Sequence, residues 1–162
     1  MNKLVSTAAA LLMLAAGSAH AADTKATIEA LDARLATIGA PKISGTDKVA
    51  DKDVPALYFG ERKINNNYDV VDAVRKAHSA TATVFVKQGD EFVRVSTNVL
   101  TPEGKRGIGT QLARNVAYEA VSKGQSYCGP IDVLGTAFDA CYNPIKDASG
   151  KIIGVSYIGH KK

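Results

Sequence analysis

The chain has 162 residues, a net charge of +4 at pH 7 and only two cysteines. That length suits one domain with a hydrophobic core of useful size. The positive excess is dispersed, its densest pairs being Lys105-Arg106 and Lys161-Lys162, which argues against a nucleic-acid binder.

Met1 to Ala21 reads as a secretory leader. An early Lys3 precedes an apolar run through Leu11, Leu12, Met13 and Leu14, and Ala19-His20-Ala21 is a small-x-small cleavage pattern. The run falls short of the ~20 residues that span a bilayer. Cleavage after Ala21 is expected, leaving a periplasmic or secreted protein. Residues 22–53 then form an N-terminal helix and a connection, and residues 54–162 a single domain.

From Thr24 to Ile38, Ile28, Leu31, Leu35 and Ile38 recur at helical spacing, and Gly39-Ala40-Pro41 ends the run. Lys42 to Asp53 is polar and irregular, a surface connection. Val54 to Ile64 is a first strand, and "NNNYDVVDAVRKAHS" a second helix with Val70, Val71 and Val74 inward. "ATATVFVKQGDEFVRVSTNV" is a hairpin turning at Gln88-Gly89-Asp90. "GTQLARNVAYEAVSKG" is a third helix closed by Gly124. Three strands follow, "SYCGPIDV", "TAFDACYNPI" and "KIIGVSYIGH", with a turn at Asp147-Ala148-Ser149-Gly150. This order gives an α+β domain with one mainly antiparallel sheet.

Four blocks in order, "VFVKQGDEFVRVSTNV", "GIGTQL", "AYEAVSKGQSYCGPIDVLG" and "YNPIKDASGKIIGVSYIG", resemble the single Cache domains found outside the membrane in bacterial chemoreceptors and sensor kinases. The similarity runs from about Pro55 to Gly159. It implies a PAS-like sheet with flanking helices and a pocket over that sheet for a small molecule, often a carboxylate. Those receptors continue into a transmembrane helix and a cytoplasmic region, whereas this sequence stops at Lys162. The resemblance therefore implies a stand-alone sensing role but not direct transmembrane signalling.

The hairpin's residues point the same way. A turn around Gly89-Asp90 sets Phe85 opposite Arg94 and Thr83 opposite Ser96. Side chains alternate across a sheet, so Val84, Val86, Val93 and Val95 share a core face. The other face collects Thr83, Phe85, Phe92, Arg94 and Ser96. Two phenylalanines do not suit a solvent face, and a sealed core would not leave an arginine without a carboxylate. A pocket with a few polar groups between apolar walls accommodates both. Alternatively, Arg94 pairs with a protein acid such as Asp72 or Asp139 and merely fixes the sheet.

A tight turn at Leu134-Gly135 sets Tyr127 opposite Tyr142 and Ile131 opposite Phe138 on one face. Two tyrosines supply apolar walls with hydroxyls at the rim, although cross-strand aromatic packing alone would also place them there. Tyr118, on the preceding helix, is a further candidate. The same register sets Cys128 across from Cys141. In an exported chain a disulfide is the simplest reading.

Catalytic patterns are missing. After processing, His78 and His160 are the only histidines, without metal-ligand spacing. No G-x-S-x-G elbow occurs, and "GKRGIGTQ" lacks the Lys-Ser/Thr ending of a phosphate loop. No enzyme activity, metal or cofactor is expected. The reading is a domain that binds a short carboxylate or similar anion through Arg94, with Ser96 and Thr83 hydrogen-bonding and Tyr127, Tyr142 and Tyr118 around the ligand. The alternative is an interaction module whose first helix docks on a membrane-bound sensor or a second copy, without a small-molecule ligand.

Overall fold

The computed structural model describes residues 16–162, with side chains from Asp23 onward. Most of the expected leader therefore lies outside the described residues. The first helix, α1 (Ala16–Ile38), already runs across the expected cleavage point. No helix among the described residues is long and apolar enough to cross a membrane.

Two expectations about the next segment are corrected. Residues 42–53, expected to be an irregular connection, form most of a strand, β1 (Pro41–Val49), paired antiparallel with β2 (Lys52–Phe59) from Pro41↔Phe59 to Val49↔Lys52. Its side chains are nearly all exposed, so no apolar alternation marked it; backbone pairing with β2 holds it, helped by buried Val49 and by the Lys42–Glu61 and Lys63–Asp47 ion pairs. The single strand expected over Val54–Ile64 is broken at Gly60, where the backbone turns back into the two-residue β3 (Arg62–Lys63). Glycine is needed at this corner. A Cβ on Gly39 would stand 2.5 Å from Gly60 Cα, an impossible contact.

The second helix, α2 (Asp69–His78), forms as expected, with Val71 and Val74 buried and Val70 partly so. The hairpin also turns where expected, joining β4 (Thr81–Gln88) to β5 (Glu91–Thr97). The third helix is much shorter than its expected span: α3 covers Val116–Ser122. Asn115 starts it by accepting the amides of Ala117 and Tyr118 on its side chain. The seven residues before α3 cannot be helical because their backbone is engaged elsewhere. Thr110 and Leu112 exchange hydrogen bonds with Arg94 and Phe92, and Gly109 N–H reaches Arg94 O. This segment thus covers the free edge of β5.

The remaining strands are β6 (Tyr127–Val133), β7 (Thr136–Lys146) and β8 (Ile152–Lys161). With β4 and β5 they make a five-stranded antiparallel sheet in the order β5-β4-β8-β7-β6, while β1-β2-β3 form a separate three-stranded sheet. The last strand in sequence is central. On one face of the large sheet pack α1, α2 and β2, burying Ile28, Leu31, Leu35, Val84, Val86, Val93 and Val95 together. On the other lie α3 and the 98–115 segment over Phe85, Phe92, Tyr142, Val155 and Tyr157. The Cys128–Cys141 disulfide closes between β6 and β7.

A carboxylate fastens α1 to its face. Asp32 accepts from Ser156 Oγ and Asn143 Nδ2, both at 2.6 Å. Burial raises its pKa above the ordinary 3.8, with the two hydrogen bonds opposing and Glu29 adding to the rise. The folded chain therefore holds this proton more tightly than the unfolded chain. The contribution favours folding fully below about pH 4 and is lost as pH climbs through the raised value. Asp32→Asn removes that titration, so the stability of the variant relative to wild type should rise between pH 3 and pH 7. Urea denaturation of both proteins at the two pH values checks it; an unchanged difference would refute the assignment.

Candidate functional site

Arg94 sits on the inner side of β5, beneath the covering segment, and is only 3% exposed. Its Nη1 donates to Thr110 Oγ1 at 2.8 Å and to the Gln111 carbonyl at 3.2 Å. Its Nε is buried without any partner. The guanidinium lies 4.8 Å from the centre of the Phe85 ring, a cation–π contact. Burial lowers its pKa, while the hydroxyls of Tyr142 and Tyr157 pull the other way. A guanidinium stays a cation at neutral pH even when desolvated.

Neither acid weighed as its partner is available. Asp72 forms a two-pronged ion pair with Arg106, at 2.7 and 2.8 Å, and Asp139 pairs with Lys162 at 3.1 Å. Arg94 has no ion pair among the described residues. A buried cation facing only neutral groups is energetically exposed to any anion that reaches it.

The walls around it are aromatic. Phe85↔Arg94 pairing holds as expected. Tyr142 and Tyr157 are both 1% exposed, their ring centres 4.8 Å apart. Burial pushes both hydroxyls well above their usual titration range, so they stay protonated and serve as donors. Tyr157 reaches Thr81 Oγ1 at 3.1 Å.

The other expected residues divide. Thr83 is on the Arg94 face, but its hydroxyl is 2.6 Å from Thr97 Oγ1 rather than beside Ser96. The pairing slips between Val84 and Phe85, so that Val84 meets Ser96 and Thr83 meets Thr97. This bulge turns Ser96 to the opposite face, where its hydroxyl donates to the Asn67 carbonyl at 2.6 Å. Ser96 and Arg94 are therefore not brought together, which corrects the expected cluster. Tyr127 stands opposite Tyr142, ring centres 6.3 Å apart, yet its hydroxyl donates to the Pro130 carbonyl on its own strand. Tyr118 lies edge-on to Phe92 and under Arg114, with its hydroxyl on the Asp90 carbonyl at the hairpin turn. It clasps the turn from outside.

Three residues on the Arg94 face escaped the sequence reading. Tyr157 was in an expected strand, but the register of the β7–β8 hairpin, shifted between Ile145 and Lys146, sets it opposite Tyr142. Thr97 needed the bulge. Thr110 belonged to a stretch read as helix. The 98–115 cover is held down where Arg106 grips Asp72, donates to the Thr97 carbonyl and lies over the Tyr68 ring.

No curated protein matches the chain. Among solved structures, the sensor domain of E. coli DcuS is 25% identical, with a TM-score of 0.45, over 57% of this chain and 63% of that one. The chain thus spans less than two thirds of that domain. The Cache 3/Cache 2 fusion domain model matches residues 3–162. Cache domains are extracytoplasmic small-molecule sensing modules, and this chain, with its antiparallel sheet between two helical layers, belongs to the Cache 3/Cache 2 fusion domain family.

Proposed function

We propose that this protein is an exported sensing domain that binds a short carboxylate at Arg94, without catalysis. One observation carries the reading: a buried guanidinium with no acid opposite it and an Nε that bonds to nothing among the described residues. A carboxylate would give the cation its counter-charge and the Nε an acceptor in one step. Tyr142 and Tyr157 supply the protonated hydroxyls, Phe85 and Phe92 the apolar walls, and Thr83 with Thr97 a hydroxyl pair further along the face. Tyr127 flanks Tyr142 at the half-buried margin. Residues 1–21 act as the export leader.

A thermal-shift screen tests the reading on protein recovered from the periplasm, whose sequence is expected to begin at Ala22. A ligand present at 100 times its Kd adds about 2.7 kcal/mol to the folded state, which is roughly 5–10 °C for a domain of this size. At least one short mono- or dicarboxylate should produce such a shift. A flat response across the set at 10 mM would rule the ligand role out.

A further inference from the structure

A cleft of ≈ 510 Å³ lies apart from Arg94, between the end of α2, the loop after β5 and the ends of β7 and β8. That size falls within the range of small-molecule sites, roughly 300–1,000 Å³. Arg94 is not among its lining residues. Thr81, which lines the cleft, is bonded to the hydroxyl of Tyr157, which packs against Tyr142.

The cleft's charge is one-sided. Arg75 from α2 and Lys161 from β8 line it, and no carboxylate does. Neither cation forms an ion pair among the described residues, while Arg62, Arg106, Arg114 and Lys162 all do. Two like charges sharing a recess repel each other unless an anion stands between them. The lining polar groups differ in availability. Thr81 is engaged by Tyr157 and the Gly159 carbonyl, and Asn98 is spent on Ala82 N–H and the Val71 carbonyl. The Ser79 and Thr136 hydroxyls have no protein partner among the described residues. Between these polar groups runs an apolar strip of Val99, Leu100, Val133 and Phe138, with Leu100 left 48% exposed.

We propose that this cleft binds a small organic dianion, its charged end between Arg75 and Lys161 and its apolar body along Leu100 and Phe138. Such a ligand would tie α2 to the central strand without touching Arg94. The assignment does not depend on what Arg94 binds.

Phenyl phosphate is a suitable probe, titrated calorimetrically into the full chain at low salt. It should bind with a submillimolar Kd, and inorganic phosphate at least tenfold more weakly because it leaves the apolar strip bare. Arg75→Gln and Lys161→Gln, both exposed positions, should each weaken phenyl phosphate tenfold or more. Arg114→Gln, a cation outside the cleft, should bind as wild type does and so controls for net charge. The site is refuted if phenyl phosphate does not bind, if both cleft variants bind it like wild type, or if Arg114→Gln weakens it equally. Equal affinity for inorganic phosphate would refute the apolar half.

Discussion

Arg94→Ala is expected to abolish affinity for whichever short acid stabilises the wild type, while lowering the stability of the ligand-free protein by no more than about 2 kcal/mol. The two quantities separate because of what Arg94 touches. Truncation removes hydrogen bonds to two neutral acceptors, each contributing about 1.5–3 kcal/mol when the donor is charged. It also removes the stacking on Phe85, roughly 0.5–2 kcal/mol. Against these stands the relief of a buried cation that no acid neutralises. Thr110 Oγ1 is not stranded, since it still donates to the Gly107 carbonyl. Had Arg94 been one half of a buried ion pair, its loss would cost about 3–5 kcal/mol by orphaning the acid. Arg94→Lys keeps the charge but loses the planar fork, so its affinity should fall at least tenfold. Urea denaturation without ligand and calorimetry with it, on the same variants, give both numbers. A loss above about 3 kcal/mol with affinity unchanged would make Arg94 a structural residue.

Cys128→Ser is expected to cost about 3 kcal/mol. The bridge spans a sequence separation of 13, and the chain-entropy estimate for a loop near that length is roughly 3 kcal/mol. Its position adds to the consequence. β6 is the outermost strand of the large sheet, held on one side only, by β7. Cys128 is exposed on that strand, whereas Cys141 is buried in the core beneath α1. Without the bridge, Cys141 remains as a small apolar group, and the effect isolates the loss of the staple. β6 also carries Tyr127, so its looser docking should weaken ligand binding as well as stability. Guanidinium denaturation of wild type and variant measures the first, and a thiol titration checks the bridge itself. Two reactive thiols in the folded, exported wild type would overturn it.

The amino-acid sequence by itself determined whatever a tight turn fixes. Leu134 and Gly135 both adopt positive φ, the pair of conformations a two-residue hairpin turn needs. From that turn alone follow Tyr127↔Tyr142 and Cys128↔Cys141, and strict alternation carries the faces outward. Counting from Gly89 likewise places Arg94 opposite Phe85. Local periodicity reaches as far as the strand stays regular. Only the tertiary structure decided what lies past the bulge at Val84, where Ser96 and Thr97 exchange faces. It also decided that Gly109–Asn115 gives up a helix to hydrogen-bond with β5, and that β1 pairs despite its exposed side chains. Tyr157 meets Tyr142 across the β7–β8 hairpin, past an irregularity between Ile145 and Lys146 that the turn residues do not announce. In each case the deciding interaction is a backbone hydrogen-bond register, whether across a neighbouring hairpin or to a non-adjacent segment, and hydrogen bonds leave no period in the local pattern of apolar and polar residues.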